Sequence, residues 1–109
     1  MPTKPPVAPK GPAPKNLVIK DLKVGTGPAL ENGDKFLINY RAFDYEDGRV
    51  VETKWGDTAF PWTLGIEELV PALEKGLVGM KVGGKRELLA PSKDLYGAAP
   101  RIYVVERLA

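Results

Sequence analysis

The chain has 109 residues, carries 16 Lys and Arg against 14 Asp and Glu, and contains neither histidine nor cysteine. This length is that of one small domain, and the missing residue types exclude zinc sites with the usual ligands, thiolate nucleophiles and disulfides. The lack of histidine, together with Ser92 as the only serine in the sequence, also argues against a hydrolytic triad.

The first fifteen residues are dominated by proline and lysine. They hold six of the eleven prolines and almost no large apolar side chain, which is typical of an extended tail. We therefore expect a tail at residues 1–15 and a single domain at residues 16–109. The start of the chain lacks an apolar signal-peptide core, and no apolar run is long enough to span a bilayer. These features predict a cytoplasmic protein with no membrane partner.

The charge of the domain differs from that of the whole chain. The first twenty residues contain four lysines and no acidic residue, so 12 basic and 14 acidic residues remain from Asp21 onward. A nucleic-acid surface needs clustered Lys and Arg that replace counterions. The one local cluster, Lys81, Lys85 and Arg86, is interrupted by glycines and is typical of a solvated face. We predict no nucleic-acid partner.

Strands are predicted through the first half of the domain. Residues 17–24 (LVIKDLKV) show the broken alternation of an edge strand. In residues 35–45 (KFLINYRAFDY), Phe36, Ile38 and Tyr40 fall on one face, which predicts one half-buried strand. The pair Asp47-Gly48 marks a hairpin turn, and FPWTLG (residues 60–65) indicates another short strand.

One helix is predicted, at PALEKGL (residues 71–77), with Pro71 at its first position. Its apolar side consists of Leu69, Val70, Leu73 and Leu77. Two further strands follow, RELLAP and RIYVVERL, and the β-branched content of the second indicates a buried central strand. The predicted class is α+β, a twisted antiparallel sheet of about five strands wrapped around one short helix.

Eight short motifs occur in a fixed order between about Leu17 and Leu108. They are GTGP, NGD, NY, EDG, FPWTLG, ELVPALEKGLVGMKVGGKREL, P-x-x-x-L-Y-G and YVVERL. This succession resembles the FKBP family of peptidyl-prolyl cis-trans isomerases, and the chain is similar to a divergent bacterial-type single-domain member. The resemblance implies the FKBP-like fold and isomerisation of X-Pro bonds.

The implied chemistry suits this composition. The barrier to rotation about a peptide bond arises from amide resonance and is about 18–20 kcal/mol, and it falls when a site binds the twisted amide better than the planar forms. An apolar pocket therefore needs no nucleophile, metal ion or cofactor. The implied partners are proline-containing peptides or proteins and macrolide-type small molecules, and a monomer is expected.

The resemblance also implies a set of site residues. Tyr96 is the implied donor to the substrate carbonyl, and the backbone N–H of Val70 is implied to bind a second carbonyl. The implied catalytic residues are Tyr40, Glu52, Phe60 and Tyr96, and the implied substrate-binding residues are Val51, Trp62, Leu69, Val70, Leu73 and Tyr103.

Three features depart from the family pattern. Val51 and Glu52 stand where members commonly have Phe-Asp, and Leu73 replaces the usual tryptophan of the pocket floor. Only residues 98–100 lie between the Tyr-Gly pair and the last strand, where a long loop is usual. A short connection leaves a shallower and wetter pocket, so we expect reduced activity.

Two alternatives to an active isomerase remain open at this point. One is an FKBP-like module that binds a peptide, a protein loop or a small molecule with little isomerase turnover. The other is a pocket recruited for a different reaction, in which Glu52 acts as an acid or base. A structural role for Glu52, pairing with a nearby cation such as Arg41, competes with this second alternative.

Overall fold

The structure, a computed structural model, describes residues 11–56 and 61–109. Within these residues, five strands form one antiparallel sheet in the order β1-β6-β7-β3-β4, and β2 pairs with β5. This sheet with its single short α-helix confirms the predicted fold class. The elements are β1 (Val18–Lys23), β2 (Lys35–Phe36), β3 (Ile38–Asp44), β4 (Val50–Lys54), β5 (Trp62–Thr63), α1 (Pro71–Gly76), β6 (Lys85–Ala90), a 3-10 turn (Ser92–Asp94) and β7 (Arg101–Arg107).

The last strand, β7, is the centre of the sheet. It pairs with β6 on one side and with β3 on the other, and its residues 102–105 are buried. A strand that is paired along both edges and covered on its faces favours β-branched and aromatic side chains, which is what IYVV supplies. The predicted central position of this strand is therefore confirmed.

The predicted single strand at residues 35–45 is wrong in one respect, because it is divided at Leu37. The Leu37 N–H donates to the Ala109 carbonyl at 3.0 Å, and the Leu37 carbonyl accepts from the Leu108 N–H at 2.8 Å. These bonds to the C-terminal end take Leu37 out of the ladder, so that β2 pairs with β5 while β3 joins the large sheet.

The hairpin between β3 and β4 carries a bulge. Asp44 Oδ1 accepts from the N–H groups of Glu46 and Asp47 at 2.9 and 3.2 Å, and Gly48 takes a φ of 75°. After the turn, Glu52 is opposite Ala42 and Val50 is opposite Phe43, so Val51 is the extra residue. The predicted turn is confirmed, and the bulge fixes the face on which Glu52 lies.

Helix α1 begins at Pro71, as predicted, and ends at Gly76, which lies in close contact with the sheet. A Cβ at Gly76 would lie 2.5 Å from Leu88 Cδ1 on β6. The Arg86 guanidinium donates to the carbonyls of Gly76 and Val78 at 2.8 and 2.7 Å, and its Nε lies 2.7 Å from Asp21 Oδ1 on β1. Arg86 thus joins the end of the helix to the sheet.

Two apolar clusters occupy opposite faces of the sheet. The larger one, here called the inner cluster, lies between the sheet and α1, and it includes Tyr40, Leu73, Leu88 and Tyr103. The smaller one, the outer cluster, consists of Phe43, Ile102 and Val104, with Tyr45 and Leu89 against it. Alternation along β3 and β7 separates the two sets.

The two glycines of the GTGP motif share a backbone conformation but differ in their surroundings. Gly25 (φ +81°) and Gly27 (φ +86°) both have left-handed backbone, but a Cβ at Gly25 would lie 2.5 Å from the Val82 carbonyl oxygen, whereas one at Gly27 meets nothing within 4 Å. We expect Gly27→Ala to lower the free energy of unfolding by about 1–2 kcal/mol, the cost of left-handed backbone. Gly25→Ala adds a backbone clash and should cost more. Urea unfolding of both variants measures the difference, and equal losses would contradict this reading.

Candidate active site

Four side chains from three neighbouring strands form a polar corner at the edge of the inner cluster: Tyr40, Glu52, Arg101 and Tyr103. Arg101 Nη1 lies 3.8 Å from Glu52 Oε1 and donates to the Tyr103 hydroxyl oxygen at 3.3 Å. The rings of Tyr40 and Tyr103 are 5.9 Å apart at 48°, a tilted arrangement that aromatic pairs favour. We call these four residues the polar corner.

Burial keeps both tyrosines of the polar corner protonated. It raises the pKa of the Tyr40 hydroxyl, and the charge and hydrogen bond of Glu52 raise it further. Burial also raises the pKa of the Tyr103 hydroxyl, with Arg101 opposing the change. Neutral phenols donate and accept hydrogen bonds but do not remove protons near neutral pH. The polar corner is therefore a fixed hydrogen-bonding unit.

The cation found beside Glu52 is Arg101. Arg41, which the sequence suggested as a partner, lies on the other face of β3, where its Nε donates to Thr53 Oγ1 at 3.1 Å. Arg101 was not among the site residues predicted from the sequence. Its position could have indicated this, because residues two apart in a strand share a face and Arg101 lies two residues before Tyr103, a predicted site residue.

A cavity of about 300 Å³ opens beside the start of α1. Tyr96 forms one wall; its side chain is 74% exposed, and both Tyr96 and Gly97 have left-handed backbone, with φ of 53° and 85°. This conformation turns the chain between the 3-10 turn and β7. The residues lining the cavity are Glu67, Leu69, Pro71, Glu74, Lys75 and Tyr96.

Leu69 connects this cavity to the interior. It lines the cavity and is also a buried member of the inner cluster, against which Trp62 and Val70 are packed. Leu73 is almost completely buried there, at 1% exposure. Of Trp62, Leu69, Val70 and Leu73, Leu69 is the one that lines the cavity. A molecule bound in the cavity would therefore contact the inner cluster through the Leu69 side chain.

Glu74 holds the segment that leads into the helix. Its carboxylate accepts from the Gly65 N–H at 2.9 Å and from the Leu69 N–H at 3.4 Å, which fixes one wall of the cavity. Glu68 has a related role, accepting from the Thr63 N–H at 2.7 Å. Neither residue was predicted from the sequence, although acidic side chains near the start of a helix commonly bind free backbone N–H groups.

The structure distributes the predicted site residues over several places. Tyr40, Glu52 and Tyr103 meet in the polar corner, whereas Leu69 and Tyr96 meet at the cavity. Val51 is the exposed residue of the bulge on edge strand β4. Phe60 lies outside the described residues.

Across residues 11–56 and 61–109, no helix is long and apolar enough to cross a membrane. The same residues contain no group of three or more acidic side chains arranged to hold a metal ion.

Comparisons with known proteins agree with this architecture. The model of the FKBP-type peptidyl-prolyl cis-trans isomerase family matches residues 27–105. A probable FK506-binding protein of Corynebacterium glutamicum is 38% identical over 92 residues, covering 82% of this chain and 75% of that protein. The chloroplastic peptidyl-prolyl cis-trans isomerase FKBP19 of Arabidopsis thaliana is 37% identical over 86 residues, covering 69% of this chain and 34% of that protein. The crystal structure of AtFKBP13 superposes on this chain with a TM-score of 0.76 at 21% sequence identity. The match covers 89% of this chain and 94% of that one.

The contacts of Arg101 in the polar corner should contribute to the free energy of unfolding. Arg101→Met removes the charge beside Glu52 and the donor to Tyr103, and we expect a loss of about 1.5–3 kcal/mol because hydrogen bonds to charged groups contribute about that much. Arg49→Met is the control, since its ion pairs are 3.9 Å long and its side chain is 70% exposed; exposed pairs contribute at most about 1 kcal/mol.

Chemical denaturation of the two variants provides the measurement. Combining Arg101→Met with Glu52→Gln should recover part of the loss, because the carboxylate is then no longer left without its cation. Equal effects of Arg101→Met and Arg49→Met would contradict a special role for the polar corner.

Proposed function

This chain belongs to the FKBP-type peptidyl-prolyl cis-trans isomerase family and is an isomerase of that class, and we propose that it acts on X-Pro bonds of peptides and proteins at the cavity beside Tyr96. The observation that carries this assignment is the position of Leu69, which lines the cavity and belongs to the inner cluster at once. A prolyl ring in the cavity would contact the Leu69 side chain, which is packed against the rest of the inner cluster.

The size of the cavity favours a small group. At about 300 Å³ it lies at the lower limit of typical ligand pockets, which span about 300–1,000 Å³. It suits a single X-Pro unit better than a macrolide. The charged residues of its rim, Glu67, Glu74 and Lys75, carry both signs, which is compatible with broad tolerance for residues around the proline.

The proposed catalysis depends on binding alone. When the amide twists, its carbonyl loses resonance and becomes less polar, so an apolar wall disfavours the planar forms more than the twisted one. The Tyr96 hydroxyl would donate to a substrate carbonyl and fix the peptide as it rotates. Tyr40, Tyr103, Glu52 and Arg101 do not line this cavity, and we assign them no step in the proposed catalysis.

A second candidate function follows from the exposure of Tyr96. With three residues between Gly97 and Arg101 and a Tyr96 side chain that is 74% exposed, water reaches the site easily, and desolvation contributes little to the rate. The same cavity would then bind X-Pro segments with little turnover. This candidate predicts measurable affinity without acceleration.

A protease-free isomerisation assay on a short X-Pro peptide tests the proposal. The chain should accelerate isomerisation, and Tyr96→Phe should lower kcat/KM by roughly three- to tenfold, the cost of one hydrogen bond of about 0.5–1.5 kcal/mol. Because the Tyr96 ring is exposed, the melting temperature should hardly change.

Tyr45→Phe serves as the matched control, since Tyr45 packs against the outer cluster, and its activity should equal that of the unsubstituted chain. Unchanged activity in Tyr96→Phe would remove the proposed donor role. A folded chain that binds the peptide without accelerating its isomerisation would favour the second candidate.

A further inference from the structure

Asp94 is a buried carboxylate near the cavity that has no role in the site described above. It is the last residue of the 3-10 turn, two residues before Tyr96, and its side chain is only 4% exposed. Burying a carboxylate is costly unless a cation or a donor lies close to it. Here Lys75 Nζ of α1 lies 2.6 Å from Asp94 Oδ1, a short charge-assisted hydrogen bond. The pair therefore joins the helix to the turn.

Both segments that this pair joins line the same cavity. Lys75 is a lining residue with a side chain that is 62% exposed, and its ammonium group is bound to Asp94. Tyr96, which follows the 3-10 turn, lines the cavity as well. The Asp94–Lys75 pair thus connects two parts of the cavity wall, although Asp94 itself is not one of the lining residues.

The Tyr96 side chain has little packing of its own. It is 74% exposed, whereas Leu95 next to it is 3% exposed and belongs to the inner cluster. The N–H groups of Leu95 and Gly97 donate to the Ser92 carbonyl at 3.0 and 2.9 Å, so residues 92–97 form a compact unit. The place of Tyr96 therefore depends on how this unit is attached to the rest of the domain.

Apart from its two chain ends, the unit is attached by two side chains. Leu95 packs in the inner cluster, and Asp94 binds Lys75 on α1. An apolar contact has no preferred direction, so the unit could still tilt about Leu95. The bond between Asp94 and Lys75 is directional and fixes the distance of the unit from the helix. Loss of this bond should let Tyr96 move relative to Leu69 and Pro71, which also line the cavity.

We propose that Asp94 is a positioning residue of the substrate cavity. Through Lys75 it holds the Tyr96-bearing turn against α1 and keeps the Tyr96 hydroxyl where it meets a substrate carbonyl. This inference rests on the proposed function of the cavity. Asp94 is buried and would not touch the substrate, so its effect on the reaction passes through Tyr96.

Isomerisation of a short X-Pro peptide by three variants tests the pair. Asp94→Asn removes the charge with little change of shape, and Lys75→Met removes the cation from the exposed end. Each should lower kcat/KM by roughly three- to tenfold, up to the loss expected for Tyr96→Phe. Lys75→Arg keeps a cation for Asp94 and should retain most of the activity. If Asp94→Asn does not fold, Lys75→Met tests the same contact.

Two comparisons separate positioning from a general loss of stability. Ile102→Val removes one methylene from the outer cluster and lowers stability, yet it should leave kcat/KM unchanged at a temperature where every variant is folded. Asp94→Asn should have little further effect when Tyr96→Phe is already present, because both act on the same hydroxyl. An undiminished loss in that background, or a kcat/KM of Asp94→Asn and Lys75→Met equal to that of Ile102→Val, would overturn the proposal.

Amide hydrogen exchange of the free protein tests the structural part without any substrate. The Gly97 N–H, which donates to the Ser92 carbonyl, should exchange at least about tenfold faster in Asp94→Asn and Lys75→Met, because the turn then opens more often. Ile102→Val should not change it. Faster exchange in a chain without isomerase activity would remove the proposed function and leave the role of Asp94 in holding the turn supported. Unchanged Gly97 exchange in both variants would overturn that role, even in an active isomerase.

Discussion

A five-stranded sheet has two faces, and residues 11–56 and 61–109 hold one short α-helix that packs on one of them. Helix α1 covers the inner face, where Gly76 meets Leu88 directly and Arg86 binds the carbonyls at the end of the helix. The proposed site lies where that packing begins, because the start of the helix leaves Leu69 between the interior and the solvent.

This arrangement also explains how a chain without histidine or cysteine can be an isomerase. Peptide-bond rotation requires a rigid apolar surface and well-placed hydrogen-bond donors. At the proposed site, Leu69 of the inner cluster would supply the surface and the Tyr96 hydroxyl the donor. The short connection before β7 limits how far the site excludes water, so we attribute any loss of rate to solvent access and not to missing chemical groups.

Local patterns predicted much of the fold. The turn at Asp47-Gly48, the helix start at Pro71 and the apolar strand β7 each depend on neighbouring residues, and each was confirmed. The break at Leu37 was not predictable, because it depends on hydrogen bonds to residues 108 and 109. The partner of Glu52 was missed for a similar reason: the bulge at Val51 and the register of three strands decide which cation it meets. Contacts between distant parts of the sequence leave little trace in local periodicity.

An NMR titration with a short proline-containing peptide would locate the substrate site. Amide shifts should be largest at Leu69, Glu74 and Tyr96, around the cavity beside α1, and small at Phe43 and Ile102 on the outer face. The largest shifts at Phe43 and Ile102, with Leu69 and Tyr96 unchanged, would instead place peptide binding on the other side of the sheet.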